Sequence, residues 1–159
     1  MSTQTSASQR VAEAARNLGL DIEVREFPEG TRTAQDAADA IAVSVGQIVK
    51  SLVFLADGAP IVCLVSGANR VDTDRLAQAI AAQRIDRADA DTAREATGYS
   101  VGGVPPFAHA TAIPVYCDRD LLSSDTIWAA AGTPTAVFSA EPQALVNACG
   151  AQVVDLKED

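Results

Sequence analysis

The sequence is poor in the residues that metal-dependent and triad hydrolases use. Among 159 residues there is a single histidine, His109, and the three cysteines, Cys63, Cys117 and Cys149, lie far apart without CxxC spacing. A zinc site is therefore disfavoured, and so is a Ser-His-Asp triad, because His109 follows a rigid loop rather than a nucleophile elbow. A packing or surface role for His109 is favoured over a site role. We expect buried, reduced thiols, no metal and no cofactor.

Lysine is nearly absent as well. Twelve residues are basic, and all except Lys50 and Lys157 are arginine. The formal net charge of −9 argues against sequence-independent binding to a nucleic-acid backbone, so DNA is not an expected partner. A local patch could still hold one end of a tRNA. Lys157 belongs to a charged tail, where we expect a solvated side chain, whereas Lys50 opens an otherwise apolar strand.

Long apolar runs are also missing. No stretch approaches the ~20 residues that span a bilayer, and the first residues lack the basic and apolar regions of a signal peptide. With 48% hydrophobic and 21% charged residues, the composition is that of one globular domain over residues 1–159. We expect a cytoplasmic protein without a membrane partner, whose residues 1–7 form a frayed polar tail.

Apolar periodicity predicts interspersed helices and strands. The clearest strands flank Asp57-Gly58, a favoured hairpin turn, and their unbroken apolar runs indicate burial on both faces. Strands are expected at residues 22–27, 50–56, 60–65, 113–117, 126–131, 135–139 and 153–154. Helices are expected at residues 8–18, 33–42, 73–80, 89–96 and 142–148. The pattern predicts a mixed sheet in an α/β or α+β domain.

A glycine- and proline-rich loop over residues 97–107 (TGYSVGGVPPF) is the most unusual stretch of the chain. Its glycines allow close approach of a ligand, and its paired prolines stiffen the backbone. Such a loop can direct several N–H groups at a carbonyl, a phosphate or an oxyanion. A sharply turned strand with a purely structural role is an equally good interpretation from composition alone.

Four short motifs together resemble the YbaK/prolyl-tRNA editing domain family. They are VKSL at 49–52, VSGAN at 65–69, the loop with its preceding alanine at 96–107, and AGTP at 131–134. Each string is weak alone, but their order covers nearly the whole chain, from Ser8 to Leu156. Thr135 stands where a histidine is expected in the closest relatives, and Ala108 stands where glycine is common. These departures bear on which substrate is accepted more than on which reaction is catalysed.

The resemblance implies a mixed, mostly antiparallel, barrel-like sheet flanked by helices. It also implies a free-standing, metal-independent deacylase that hydrolyses the ester of a mischarged tRNA, commonly tRNA(Pro) carrying a small wrong amino acid. The implied partners are the aminoacylated 3′ end of that tRNA and, as a further candidate, an aminoacyl-tRNA synthetase. A non-catalytic module that binds tRNA or a synthetase is the alternative function.

The site residues follow from carrying the family motifs onto this chain. The candidate catalytic residues are Lys50, Gly102 and Gly103. The candidate substrate-binding residues are Asn69, Thr97, Gly98, Tyr99, Ser100, Val101, Pro105, Gly132, Thr133 and Thr135. The alternative to a catalytic role for Lys50 is a lysine at a strand end whose ammonium extends into water. The alternative to substrate binding by the hydroxyls of Thr97, Tyr99 and Ser100 is capping of turns.

Overall fold

The computed structural model of the protein describes residues 6–27 and 33–158. Its helices are α1 (Ala7–Asn17), α2 (Ala34–Ile41), α3 (Thr73–Ile80), α4 (Ala90–Thr97) and α5 (Pro142–Cys149). Its strands are β1 (Arg25–Glu26), β2 (Val49–Ala56), β3 (Ala59–Ser66), β4 (Ile85–Arg87), β5 (Val115–Asp118), β6 (Ile127–Ala130), β7 (Ala136–Ala140) and β8 (Gln152–Val154). Two short 3-10 helices lie at Val45–Gln47 and Arg119–Ser123. None of these helices is long and apolar enough to cross a membrane.

The strands form two sheets. The larger has the order β4-β2-β3-β5-β8 and the smaller has the order β1-β7-β6. The β3–β5 and β5–β8 pairs are parallel and the other pairs are antiparallel, which confirms a mixed, mostly antiparallel α/β architecture. Within the described residues an isolated bridge, Ile48 to Trp128, connects the two sheets, and they do not close into a barrel. The sheets therefore diverge from this bridge.

The β2–β3 hairpin forms the centre of the larger sheet, as predicted. Asp57 and Gly58 have φ values of 51° and 86°, the left-handed values that a two-residue hairpin turn requires. Alternate residues of β3 enter two separate cores, Val62 and Leu64 on one face and Cys63 and Val65 on the other. Burial on both faces explains why β3 is continuously apolar, whereas β2 is half-buried along most of its length, so the expectation of full burial fails for β2.

Side-chain caps fix most helix ends where the sequence indicates them. Thr33 accepts a hydrogen bond from the Asp36 amide at the start of α2, and Asp72 accepts two at the start of α3. The predicted start of α1 at residue 8 needs correction, because the helix begins at Ala7, with Ser6 as its N-cap in a capping box with Gln9. Residues 6 and 7 therefore belong to the helix start, and residues 1–5 lie outside the described ranges.

One strand of the structure was not expected from the sequence. The three-residue strand β4 has too little periodicity to be recognised in the sequence, and it pairs with only the last three residues of β2. Pro28-Glu29-Gly30 predicts a turn after the first strand, but these residues lie outside the described ranges. The short pairing of β4 matters for function, because it leaves the first half of β2 without a strand neighbour on the side that faces β6.

Candidate active site

A cleft of about 390 Å³ opens where the two sheets diverge. The unpaired edge of β2 forms one wall, β6 and β7 form the opposite wall, and α2 and the glycine-rich loop close the ends. The lining residues are Thr33, Ala34, Ala37, Ile48, Val49, Lys50, Ser51, Leu52, Val101, Gly102, Val104, Trp128, Ala130, Pro134 and Val137. Lys50 is the ionisable side chain in this set, so a single positive charge faces a largely apolar cleft.

Lys50 is half-buried at the start of β2, and its position is fixed by one strong contact. Its Nζ donates a hydrogen bond to the backbone carbonyl of Asn69 at 2.5 Å. Burial lowers the pKa of Lys50 below its ordinary value and the charge of Arg70 lowers it further, while the Asp118 carboxylate opposes both effects. An ammonium has three N–H donors, so two remain for a bound ligand. The predicted alternative, a lysine extending into water, does not describe this side chain.

The glycine-rich loop reaches the same cleft through Val101 and Gly102. A tight turn is closed by the Gly103 N–H, which donates to the Ser100 carbonyl at 2.9 Å, and Gly102 at the turn has a φ of 91°. The N–H of Gly102 has no acceptor among the residues that the structure describes. This narrows the predicted pair of amide donors to one, because the Gly103 amide is occupied within the loop.

Gly103 has a packing role instead. A Cβ atom at this position would lie 2.8 Å from the Cα of Thr133 and 3.0 Å from the carbonyl oxygen of Gly132. Only glycine therefore allows the glycine-rich loop to rest directly on the turn between β6 and β7. Gly103 shapes the cleft from behind rather than contacting its contents.

The other loop residues predicted to bind substrate do not line the cleft. Thr97 is fully buried and its Oγ1 donates to the Ala93 carbonyl at 2.7 Å and accepts from the Tyr99 amide. The Tyr99 hydroxyl donates to the Ala108 carbonyl at 3.0 Å, and Ser100 Oγ accepts from Arg94. Gly98 and Pro105 also lie away from the cleft: Gly98 ends α4 with a φ of 84°, and the Pro105 carbonyl accepts from His109 Nε2 at 2.7 Å. Thr97 thus matches the turn-capping alternative, whereas the Tyr99 and Ser100 hydroxyls make other contacts within the protein.

The turn between β6 and β7 contributes a different residue from those predicted. Gly132 has a φ of 101° and packs against the backbone of Ala7. Thr133 Oγ1 accepts from the Ala136 amide, and Thr135 Oγ1 donates to Glu26 at 3.2 Å. The residue of this turn that lines the cleft is Pro134.

Ser51 is the site residue that sequence reasoning missed. Its Oγ is buried and has no hydrogen-bond partner among the described residues. It lines both the main cleft and an adjoining cavity of about 180 Å³, which also contains Arg87 at its margin. A buried hydroxyl without a partner costs ~1–3 kcal/mol, so its presence suggests a ligand that completes the hydrogen bond. The available signal was a serine inside an apolar strand.

Trp128 is both a core residue and a wall of the cleft. It is 9% exposed, and the Arg25 guanidinium lies 5.2 Å from the centroid of its ring. The sequence favoured a core role over a stacking platform, and the burial agrees with that interpretation. The arginine nevertheless places a positive charge against a side chain that lines the cleft.

The thiols and the histidine lie outside the cleft. Cys63 and Cys117 are buried and unpaired, and burial raises the pKa of each to about 12, which keeps them protonated and unreactive. Burial also lowers the pKa of His109. In the ranges that the structure covers, no group of three or more His, Cys, Asp or Glu residues could hold a metal ion.

Fold and cleft together define a mixed α/β protein with a small apolar site, one half-buried lysine and one free loop amide. The sequence model of the aminoacyl-tRNA editing domain family matches residues 28–148. The chain therefore belongs to the aminoacyl-tRNA editing domain family.

Three relatives illustrate the similarity. The Bacillus subtilis protein YwhH, described as uncharacterized, is 30% identical over 124 residues, which are 77% of this chain and 78% of that protein. A proline–tRNA ligase from Elusimicrobium minutum is 33% identical over 93 residues, which are 58% of this chain but only 16% of the ligase. A solved structure described as "a putative trans-editing enzyme for prolyl tRNA synthetase" shares 43% identity and a TM-score of 0.91, covering 99% of this chain and all of that one.

Proposed function

We propose that the protein is a trans-acting aminoacyl-tRNA deacylase, which hydrolyses the ester between a small wrong amino acid and its tRNA. The observation that carries this proposal is that Lys50 and Gly102 line the same cleft. Membership of the editing family and the similarity to a trans-editing structure support it. Such an enzyme would act in the cytoplasm, where tRNA is charged.

The chemistry of the cleft favours positioning over acid–base catalysis. Lys50 is the ionisable group among the lining residues, and its retained ammonium cannot accept a proton from water. An aminoacyl ester is intrinsically reactive, and a neighbouring ribose hydroxyl can help to position water. Water attacks the ester carbonyl, the bond between the acyl carbon and the ribose oxygen breaks, and a proton from the water passes to that ribose oxygen, so the products are the free amino acid and a deacylated tRNA.

Two donors would stabilise the charge that develops during this step. The Gly102 N–H is free to donate to the carbonyl oxygen as it becomes an oxyanion, and one such donor contributes about 3–4 kcal/mol in other enzymes. The two unused N–H groups of Lys50 would contact the same oxygen, the terminal ribose or the terminal phosphate. Val101 and Val104 add apolar side chains to the lining of the cleft beside Gly102.

The walls of the cleft are short and apolar. Ala34, Ala37, Ala130 and Val137 carry no charged or hydrogen-bonding side-chain group, so they favour an apolar or weakly polar aminoacyl group. The free hydroxyl of Ser51 would hydrogen bond to the aminoacyl group. A difference of one methylene is worth only about 1–3 kcal/mol in an apolar pocket, so alanine, cysteine, serine, threonine and 2-aminobutyrate all remain candidates.

The proposed partner is the 3′ end of a tRNA, with tRNA(Pro) favoured because several relatives are proline–tRNA ligases. The net charge of −9 opposes extensive contact with the tRNA body. Arg25 and Arg87 beside the two cavities would provide local contacts to the terminal phosphates. A synthetase that delivers the tRNA is a second candidate partner.

A panel of aminoacylated tRNAs tests this proposal directly. The purified protein and its Lys50→Ala variant are mixed with each member, and the release of the amino acid is measured. We expect turnover of at least one small amino acid by the wild type and strongly reduced turnover by the variant. Saturable binding without turnover by the wild type would instead support a non-catalytic tRNA-binding module.

A further inference from the structure

A continuous set of polar contacts joins the cleft lysine to the C-terminal segment. Lys50 Nζ donates to the Asn69 carbonyl, and Asn69 Nδ2 donates to Asp120 Oδ2 at 2.9 Å. The same Asp120 oxygen accepts from Lys157 Nζ at 2.8 Å. Two residues, Asn69 and Asp120, therefore connect the two lysines of the chain.

Asp118 is the buried centre of this network. It is only 1% exposed, and its carboxylate accepts hydrogen bonds from the Ser66 amide at 3.1 Å, from Asn69 Nδ2 at 2.8 Å and from the Asp120 amide at 3.0 Å. A buried carboxylate is tolerated only when its oxygens are satisfied in this way. Asp118 thus fixes the loop that follows β3 against the end of β5.

The C-terminal segment holds the other side of the same loop. The Asp72 amide donates to the Leu156 carbonyl at 2.7 Å, and the Glu158 amide donates to the Arg70 carbonyl at 2.8 Å. Leu156 and Glu158 lie beyond residue 148, where the match to the family ends. Their contacts hold the loop whose Asn69 carbonyl accepts the hydrogen bond from the Lys50 ammonium.

We propose that Asp118 and Asn69 are positioning residues, which fix the Lys50 ammonium at the cleft through the Asn69 carbonyl, and that the C-terminal segment locks this arrangement. The expected loss of activity in Asn69 and Asp118 variants rests on the proposed deacylase function, whereas the restraint on the Lys50 side chain does not depend on that function. The Asn69 side chain is suited to this role because its amide contacts two carboxylates, those of Asp118 and Asp120. Without that amide the two carboxylates would repel each other and the loop would shift.

The composition of the chain permits a direct test. Because Lys50 and Lys157 are its only lysines, protein containing lysine labelled with ¹³C at Cε alone gives two methylene signals, assigned with Lys157→Gln. The test compares wild type, Asn69→Ala, Asp118→Asn and the exposed-carboxylate control Asp125→Asn. Asn69→Ala retains the carbonyl that accepts from Lys50 but removes both side-chain contacts.

We expect the order parameter of the Lys50 Cε group to fall in Asn69→Ala and Asp118→Asn and to be unchanged in Asp125→Asn. In Asp118→Asn the pKa of Lys50 should fall further, because the lost carboxylate opposes the lowering effects of burial and Arg70. With a substrate in hand, kcat should fall about tenfold while KM changes less than twofold, as expected for a misplaced group.

Unchanged Lys50 dynamics and pKa in a folded Asn69→Ala protein would overturn the proposal, whatever the activity. If Asp118→Asn does not fold, Asn69→Ala decides alone, and equal losses of kcat in Asp125→Asn would also count against it. Failure of the deacylase function appears separately, as absence of turnover by wild type with a normally restrained Lys50.

Discussion

The two lysines lie at opposite ends of one polar network but in contrasting environments. Lys50 is half-buried and donates to a carbonyl, and burial lowers its pKa. Lys157 is partly exposed and pairs with Asp120, and its hydrogen bond and charge interaction with that carboxylate raise its pKa. The pKa values of the two lysines thus shift in opposite directions, because burial is the largest effect on Lys50 whereas the Asp120 carboxylate outweighs burial at Lys157.

This difference in environment points to a structural role for Lys157 and to a role in binding or catalysis for Lys50. An exposed ion pair contributes little to stability, and the Lys157–Asp120 contact serves to hold a loop. A partly desolvated ammonium with a neutral partner is costly to fold, so its retention at a cleft suggests a role in binding or catalysis. The expectation of a merely solvated Lys157 was wrong, since its ammonium has a defined carboxylate partner.

The largest effect should distinguish the lysines by activity. Lys50→Ala should lower kcat/KM for the best mischarged tRNA by about 100-fold, because it removes the charge in the cleft. Lys157→Ala acts only through the loop and should lower it about two- to threefold. Single-turnover deacylation of both variants measures the ratio, and similar losses in the two would remove the distinction.

A tenfold effect should appear at the neighbouring residue of β2. Ser51→Ala removes a hydroxyl that has no protein partner among the described residues, so we expect unchanged or slightly higher stability but about tenfold lower kcat/KM. The exposed Ser123→Ala serves as the matched control. Thermal unfolding and deacylation are measured together, and an unfolding temperature that falls with activity would argue for a structural hydroxyl.

A smaller effect should appear in the free energy of unfolding, which replacement of the two lysines by methionine should change in different directions. Lys50→Met removes a charge whose desolvation opposes folding, so at neutral pH it should leave the free energy of unfolding unchanged or raise it slightly. Lys157→Met removes an exposed ion pair and should lower it by well under 1 kcal/mol. Urea denaturation at pH 7 measures both, and a clear destabilisation by Lys50→Met would show that Lys50 is a structural residue.

The smallest perturbation is a titration of the unaltered protein. Because the pKa of Lys50 is lowered and that of Lys157 is raised, Lys50 should lose its proton at the lower pH. Burial of the Lys50 charge lowers the free energy of unfolding by its full amount below the folded-state pKa of Lys50, and this penalty disappears as the pH rises to the unfolded-state pKa. The ion pair of Lys157 stabilises the folded state below the unfolded-state pKa of Lys157, and this stabilisation is lost as the pH rises through the higher folded-state pKa. Carbon-13 titration curves of the two lysines would show which of them loses its proton first. Deprotonation of Lys157 before Lys50 would contradict the proposed difference between their environments.

Two of the residues that sequence reasoning singled out from local pattern line the candidate cleft. Lys50 stood out as a charge in an apolar strand, and Gly102 as the centre of a loop too rich in glycine for regular structure. It overestimated the loop hydroxyls, because Thr97 and Tyr99 carry the same groups whether they face a ligand or the protein's own carbonyls. It missed Ser51, whose isolation becomes visible only when every neighbouring atom has been placed.

By itself the sequence determined the elements, since turn residues such as Asp57 and Gly58, helix caps such as Thr33 and Asp72, and apolar periodicity act over a few residues. Tertiary structure alone decided where the two sheets diverge to leave a cleft, and which loop amide stays free beside it. It also decided that residues 69, 118 and 157 meet behind Lys50. The reason is physical: hydrogen bonds between residues far apart in the chain depend on how the sheets pack, and no local pattern specifies that distance.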